Sequence, residues 1–240
     1  MKGAVKMNKK SSKLVAVFGL CLILIAGIGA AAWAIDGYEG GYVGVEEGQQ
    51  TVWNFITNFS YDQYYWAEDF MFRQSNNSYV DLMDFSFYCG HGNHWLISEP
   101  DGTIINLADA GNTGNSGWGD QYVRYVAFYS CKVVPSRLDL PADQSWYTPW
   151  TSVLTGVRQI CGYRTDAMVA TGPNIGSYFG ARVRAGDNIW QRWLDANNLY
   201  GDLSVMRASA VYSSDATNDT YSSNSIPRAG YETVYITYQN

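Results

Sequence analysis

The chain has 240 residues and a formal net charge of −6, and its 16 lysines and arginines are unevenly spread, five of them lysines within the first 13 positions. Beyond residue 34, 11 basic residues face 22 acidic ones, a balance of about −11 that argues against nucleic acid and anionic membrane surfaces as partners. Three cysteines lie in that part, Cys89, Cys131 and Cys161; an odd number at irregular spacing is no disulfide framework, so the fold must rest on its apolar core.

The five lysines precede the apolar run LVAVFGLCLILIAGIGAAAWA, residues 14–34, the basic-then-hydrophobic order of a secretory signal. Ala32 and Ala34 fit an A-x-A cleavage site, which would start the mature chain near Ile35. The run is also long enough to stay as a membrane anchor, so export with or without an anchor at the outer face of the membrane is expected. Residues 35–240 are enough for one domain with a sizeable core.

Along that domain, AIDGYEGGYVGVEEG is a glycine-punctuated, strand-like entry, and TVWNFITNF has helical spacing at Trp53, Phe55, Ile56 and Phe59. Residues 60–79 are aromatic and polar, with RQSNNS reading as a loop. DFSFYCG alternates as a strand, and HWLIS and TIINL flank the turn residues EPDG as a hairpin. DAGNTGNSGWGD, residues 109–120, is a loop of a length at which connections are often functional. YVRYVAFYSCKVV is a second apolar strand, WYTPWTSVLTG a helix, VRQICGY a third strand, and residues 175–199 one long helix carrying Trp190, Trp193 and Leu194. SVMRASAVYSS and YETVYITYQ add two strands as antiparallel edge additions. Strands alternating with helices predict an α/β fold with a largely parallel central sheet flanked by helices.

The stretch FYCGHGNHW holds both histidines, His91 and His94, and His91 follows directly on an apolar strand. Cys131, 40 residues later, also closes an apolar strand. Parallel α/β sheets place their chemistry at the carboxyl ends of strands. If the two strands are neighbours, imidazole and thiol face one crevice, as a cysteine nucleophile and its acid–base partner require. His94 with Asp101 and Asp109 completes no recognisable ligand pattern, so neither a metal nor another cofactor is expected. Trp95, Trp118, Tyr163 and Tyr178 are candidates for a substrate groove, or for packing. Arg164 and Asp166 follow the third strand toward the same crevice and either select a charged substrate side chain or pair with each other.

At these residues the sequence resembles the caspase, metacaspase, legumain and gingipain group of cysteine peptidases: an apolar strand ending in His-Gly, here FSFYCGHG, then an apolar strand ending in a small residue and cysteine, here YVAFYSC. The stretch from about 80 to 200, with GYRTDA and the aromatic helix behind it, also resembles a family of exported prokaryotic proteins thought to share that fold. The resemblance implies a peptidase with Cys131 as nucleophile, His91 as acid and base, and the N–H groups of Gly92 and Cys131 as oxyanion hole, with no required third residue. It implies a peptide or protein substrate, with Trp95, Tyr163, Arg164 and Asp166 as the residues placed to contact it. Two departures stand out: Ser130 where alanine is common, and Lys132 followed by VVP where small or polar residues are frequent. A non-catalytic exported binding module on the same fold, and an acyltransferase using the same thiol, are the other expectations. The order His before Cys argues against papain-like and cell-wall amidase families.

Overall fold

The structure, a computed structural model, describes residues 38–112, 117–152, 156–222 and 234–240. The expected signal segment lies outside the described residues, as do positions 113–116 of the predicted functional loop and 153–155 of the helix predicted before the third strand. Among the described residues, no helix is long and apolar enough to cross a membrane.

The fold is α/β, with helices flanking a large, mostly parallel sheet. Its strands in chain order are β1 (Tyr38–Val43), β2 (Tyr61–Trp66), β3 (Phe85–Cys89), β7 (Tyr125–Tyr129), β8 (Gln159–Tyr163), β9 (Ala208–Ser213) and β10 (Val234–Tyr238). Between β3 and β7 the chain makes a small antiparallel sheet of β4 (Gly92–Asn93), β5 (Leu96–Ser98) and β6 (Ile104–Asn106). The large sheet runs β10-β9-β8-β7-β3-β1-β2. Strands β2, β1, β3, β7 and β8 are parallel; β9 and β10 are antiparallel additions at the edge, as the sequence led us to expect.

The central strands β3, β7 and β8 are buried along their whole length; β7 accordingly reads as a continuous apolar run, while β3 and β8 each bury one polar residue, Ser86 and Gln159. Helix α1 (Gln49–Ile56), helix α3 (Gly172–Arg184) and helix α4 (Ile189–Tyr200) cover one face; a single turn, α2 (Asp69–Phe72), lies between β2 and β3. Phe55 of α1 stacks on Phe87 of β3 at 4.4 Å between centroids and meets Phe179 of α3 at 5.6 Å. Gly172, Gly176 and Gly180, one turn apart, let α3 lie directly on α1: a Cβ at Gly176 would stand 2.4 Å from the Thr51 carbonyl oxygen. The opposite face of the sheet buries a second cluster that includes Tyr42, Phe72, Tyr88, Trp118, Phe128 and Trp150.

Two expectations are corrected and one gap is filled. Residues 61–66, to which the sequence assigned no element, form β2, a partly exposed edge strand with no apolar alternation to reveal it. The long helix breaks into α3 and α4, and Asn188 caps the second by accepting the Gln191 N–H at 3.2 Å. The helix predicted in WYTPWTSVLTG is, where described, a short 3-10 turn at Thr148–Ser152.

Candidate active site

Strands β3 and β7 are direct neighbours, and Cys89 pairs with Tyr129 at their last rung. His91 and Cys131 therefore each lie two residues beyond the same rung, at the carboxyl edge of a parallel sheet. Beyond the strands the two segments stay together: the Gly90 N–H donates to the Tyr129 carbonyl at 3.3 Å and the Trp95 N–H to that of Val133 at 3.4 Å. Gly92 is packed so closely on the segment after β7 that a Cβ would stand 2.1 Å from Ser130 Oγ and 2.6 Å from Val133 Cγ2. Gly92→Ala should force this contact apart and destabilise the protein by about 1–3 kcal/mol; chemical denaturation measures it, and an unchanged midpoint would contradict the packing.

The phenol of Tyr88 organises the histidine turn from below. Its hydroxyl lies 2.8 Å from the Ser98 carbonyl and 3.1 Å from that of His91, sharing its proton between them, and accepts the Ser98 N–H at 3.1 Å. Burial holds the phenol pKa well above its ordinary value, so it remains a donor. Gly44 and Gly90 make room for it, since a Cβ on either would stand within 2.3 Å of the hydroxyl. Above this clamp, His91 is exposed, and its imidazole makes no hydrogen bond or ion pair among the described residues.

Cys131 is half-buried, and its sulfur rests on the loop after β8: the Ala167 N–H donates to Sγ at 3.3 Å, and the Ala167 carbonyl lies 3.8 Å away. The turn that presents it is strained, with Lys132 in the left-handed region at φ 58°, a conformation that costs a non-glycine residue about 1–2 kcal/mol. Two bonds to β8 and its loop hold the turn, Lys132 N–H to the Thr165 carbonyl at 2.8 Å and Val134 N–H to that of Tyr163 at 3.0 Å. The Cys131 N–H finds no acceptor among the described residues.

The remaining candidates divide. Trp95 is half-buried, also in the left-handed region at φ 57°, and 5.8 Å from the His94 ring. Tyr163 is a core residue: it is fully buried, meets Trp193 at 5.3 Å and bonds Asn197 Oδ1 at 2.5 Å, so its ring is unavailable to a substrate. Trp118 is likewise core, donating to the Phe72 carbonyl at 2.9 Å. Arg164 and Asp166 do not pair with each other. Arg164 forks onto Asp139 with bonds of 2.7–3.1 Å and lies over the Tyr238 ring, while Asp166 takes Lys132 Nζ at 3.1 Å. Asp139 and Lys132 are thus the partners that the sequence left unidentified, because both charges are met from loops distant in the chain. No group of three or more metal-ligating side chains occurs among the described residues.

All three thiols are free. The strand order puts β3 and β8 on opposite sides of β7, so Cys89 and Cys161 are two strand spacings apart, about 9–10 Å, too far for a disulfide. Burial pushes the Cys89 thiol up to about 12 and raises that of Cys161 as well. Alkylation of the unreduced native protein should modify Cys131 first and the other two only after denaturation; equal rates for all three would contradict this placement.

The fold and these strand ends define a class of protein, an α/β domain with a half-exposed thiol and an imidazole at the carboxyl edge of neighbouring parallel strands. The family model described as a domain of unknown function, DUF6345, matches residues 45–227, and the chain belongs to that family. A search of curated proteins finds no match.

Proposed function

We propose that the protein is an exported cysteine peptidase of the caspase and gingipain type, working with a Cys131–His91 dyad. The observation that carries the reading is the shared rung: the two residues continue neighbouring strands from one pair, Cys89 and Tyr129, at the edge where parallel sheets hold their sites. In this reading the Cys131 thiolate attacks the peptide carbonyl, forming a C–S bond, while the carbonyl oxygen takes the negative charge between the N–H groups of Gly92 and Cys131. Such donors contribute about 3–4 kcal/mol to the transition state. Collapse expels the amine with a proton from His91. Water, deprotonated by His91, then cleaves the thioester, releasing the acid and restoring the thiol.

A second reading, a non-catalytic binding module on the same fold, draws on the β2 side of the sheet and the helix beside it, where Tyr38 of β1, Tyr61 and Trp66 of β2 and Trp53 of α1 are all exposed. The two are separated by a peptidyl acyloxymethyl ketone. It should label the wild-type protein at Cys131 and leave Cys131→Ser unlabelled; wild type that resists the probe would favour the binding module.

A further inference from the structure

We infer that the Cys131 site seats an uncharged, apolar side chain of its peptide substrate on a shelf formed by Met168, Val169, Leu203 and Val205, an inference that rests on the peptidase reading above. The shelf begins where the thiol ends: Ala167, whose N–H meets Sγ at 3.3 Å, is followed by Met168 and Val169, which are 43% and 39% exposed. Leu203 and Val205, each 42% exposed, come from the loop before β9. That loop is fastened to the first by the Arg207 N–H donating to Thr165 Oγ1 at 2.7 Å and by Thr171 Oγ1 against Met206 Sδ at 3.5 Å.

The shelf is also held rigid from beneath. Tyr129, at the end of the strand that carries Cys131, donates its hydroxyl to the Met168 carbonyl at 2.6 Å and lies 2.8 Å from Thr171 Oγ1. The hydrogen bonds thus fix the backbone and leave the apolar side chains in solvent, the arrangement of a preformed binding surface.

The charges around the thiol point the same way. Arg164 is committed to Asp139 by a two-pronged, largely buried pair. Lys132 and Asp166 cancel each other at 3.1 Å. Neither a basic nor an acidic substrate side chain finds an uncommitted counter-charge on these residues, whereas an apolar one loses water against four exposed apolar side chains.

The test compares inactivation of the full chain by three peptidyl chloromethyl ketones that differ only in the residue bearing the ketone: leucine, lysine or glutamate. Each alkylates the thiolate by forming a bond from Sγ to the methylene carbon as chloride leaves. The leucine reagent should react roughly tenfold faster or more than the other two. Val169→Asp or Val205→Asp, both at exposed positions, should remove most of that advantage once each reagent's rate is divided by the same variant's rate with iodoacetamide, which corrects for any change in thiolate content. Faster reaction of the lysine or glutamate reagent at Cys131, or equal rates for all three, would overturn the shelf and leave the peptidase reading standing. Failure of every reagent to modify Cys131 would overturn both. A change of oligomeric state in the aspartate variants, by light scattering, with selectivity retained would overturn the shelf by assigning that face to contact between copies.

Discussion

Cys131→Ser and His91→Ala are each expected to lower peptide hydrolysis at least 100-fold while leaving the circular dichroism spectrum and the denaturation midpoint unchanged. The size follows from the roles: one removes the nucleophile, the other the general acid and base, whose contribution is typically about 100-fold or more. The intact fold follows from position, since His91 is exposed and Cys131 only half-buried. His94→Ala is the control and should keep more than about a tenth of the rate. Burial lowers the His94 pKa, and nearby Lys132 lowers it further against the opposing pull of Asp139, so this imidazole stays neutral against Trp95. A wild-type rate in Cys131→Ser would end the peptidase reading.

The largest loss of stability is expected at Asp81, which no catalytic argument touches. Its fully buried carboxylate gathers four backbone N–H groups of the turn before β7: Gly119 at 3.0 Å, Gln121 at 3.3 Å, Tyr122 at 3.3 Å and Val123 at 2.9 Å. One side chain just ahead of β3 thereby ties down the entry to β7, so the two site-bearing strands start in register. Asp81→Ala strands the Gly119, Gln121 and Val123 donors, while the Tyr122 N–H keeps the Asp81 main-chain carbonyl at 3.1 Å, and a loss of about 3 kcal/mol or more is expected. Asp81→Asn keeps an acceptor for the three N–H groups that converge on Oδ1 and should cost far less. Burial, reinforced by the Asp120 carboxyl, raises the Asp81 pKa to about 7. An unfolded aspartate titrates near pH 4, so between about pH 4 and pH 7 the folded state holds the proton more tightly. This contribution therefore stabilises at low pH and is lost as pH rises through that window. Denaturation midpoints of wild type should fall relative to Asp81→Asn from pH 4 to pH 7; parallel curves would contradict the shift.

Much of this architecture was legible in the sequence because buried parallel strands leave strong local marks. YVAFY is an unbroken apolar run and FSFYC is interrupted only by Ser86, and two positions beyond each lies the residue that matters, Cys131 or His91. What stayed hidden is what long-range contacts decide. Strand β2 is a partly exposed edge strand and has no period to read. Tyr163 looked like a groove residue because an aromatic at a strand end carries no sign of the Asn197 and Trp193 that enclose it. Arg164 and Asp166 lie two positions apart, and only the fold shows that each has a partner elsewhere, in Asp139 and Lys132. Even the pair of thiols at Cys89 and Cys161 followed from strand order, a topological inference that needed no side-chain detail.

The central claim is that Cys131 forms a thioester with a peptide substrate. It is tested most directly by incubating the full chain with a peptide library, quenching in acid and mapping any acyl adduct by mass spectrometry. The account predicts an adduct on Cys131 alone, lost on hydroxylamine treatment and enriched in His91→Ala supplied with activated ester substrates, whose leaving groups need no protonation. Substrate turnover without any adduct on Cys131, or an adduct undiminished in Cys131→Ser, would contradict it.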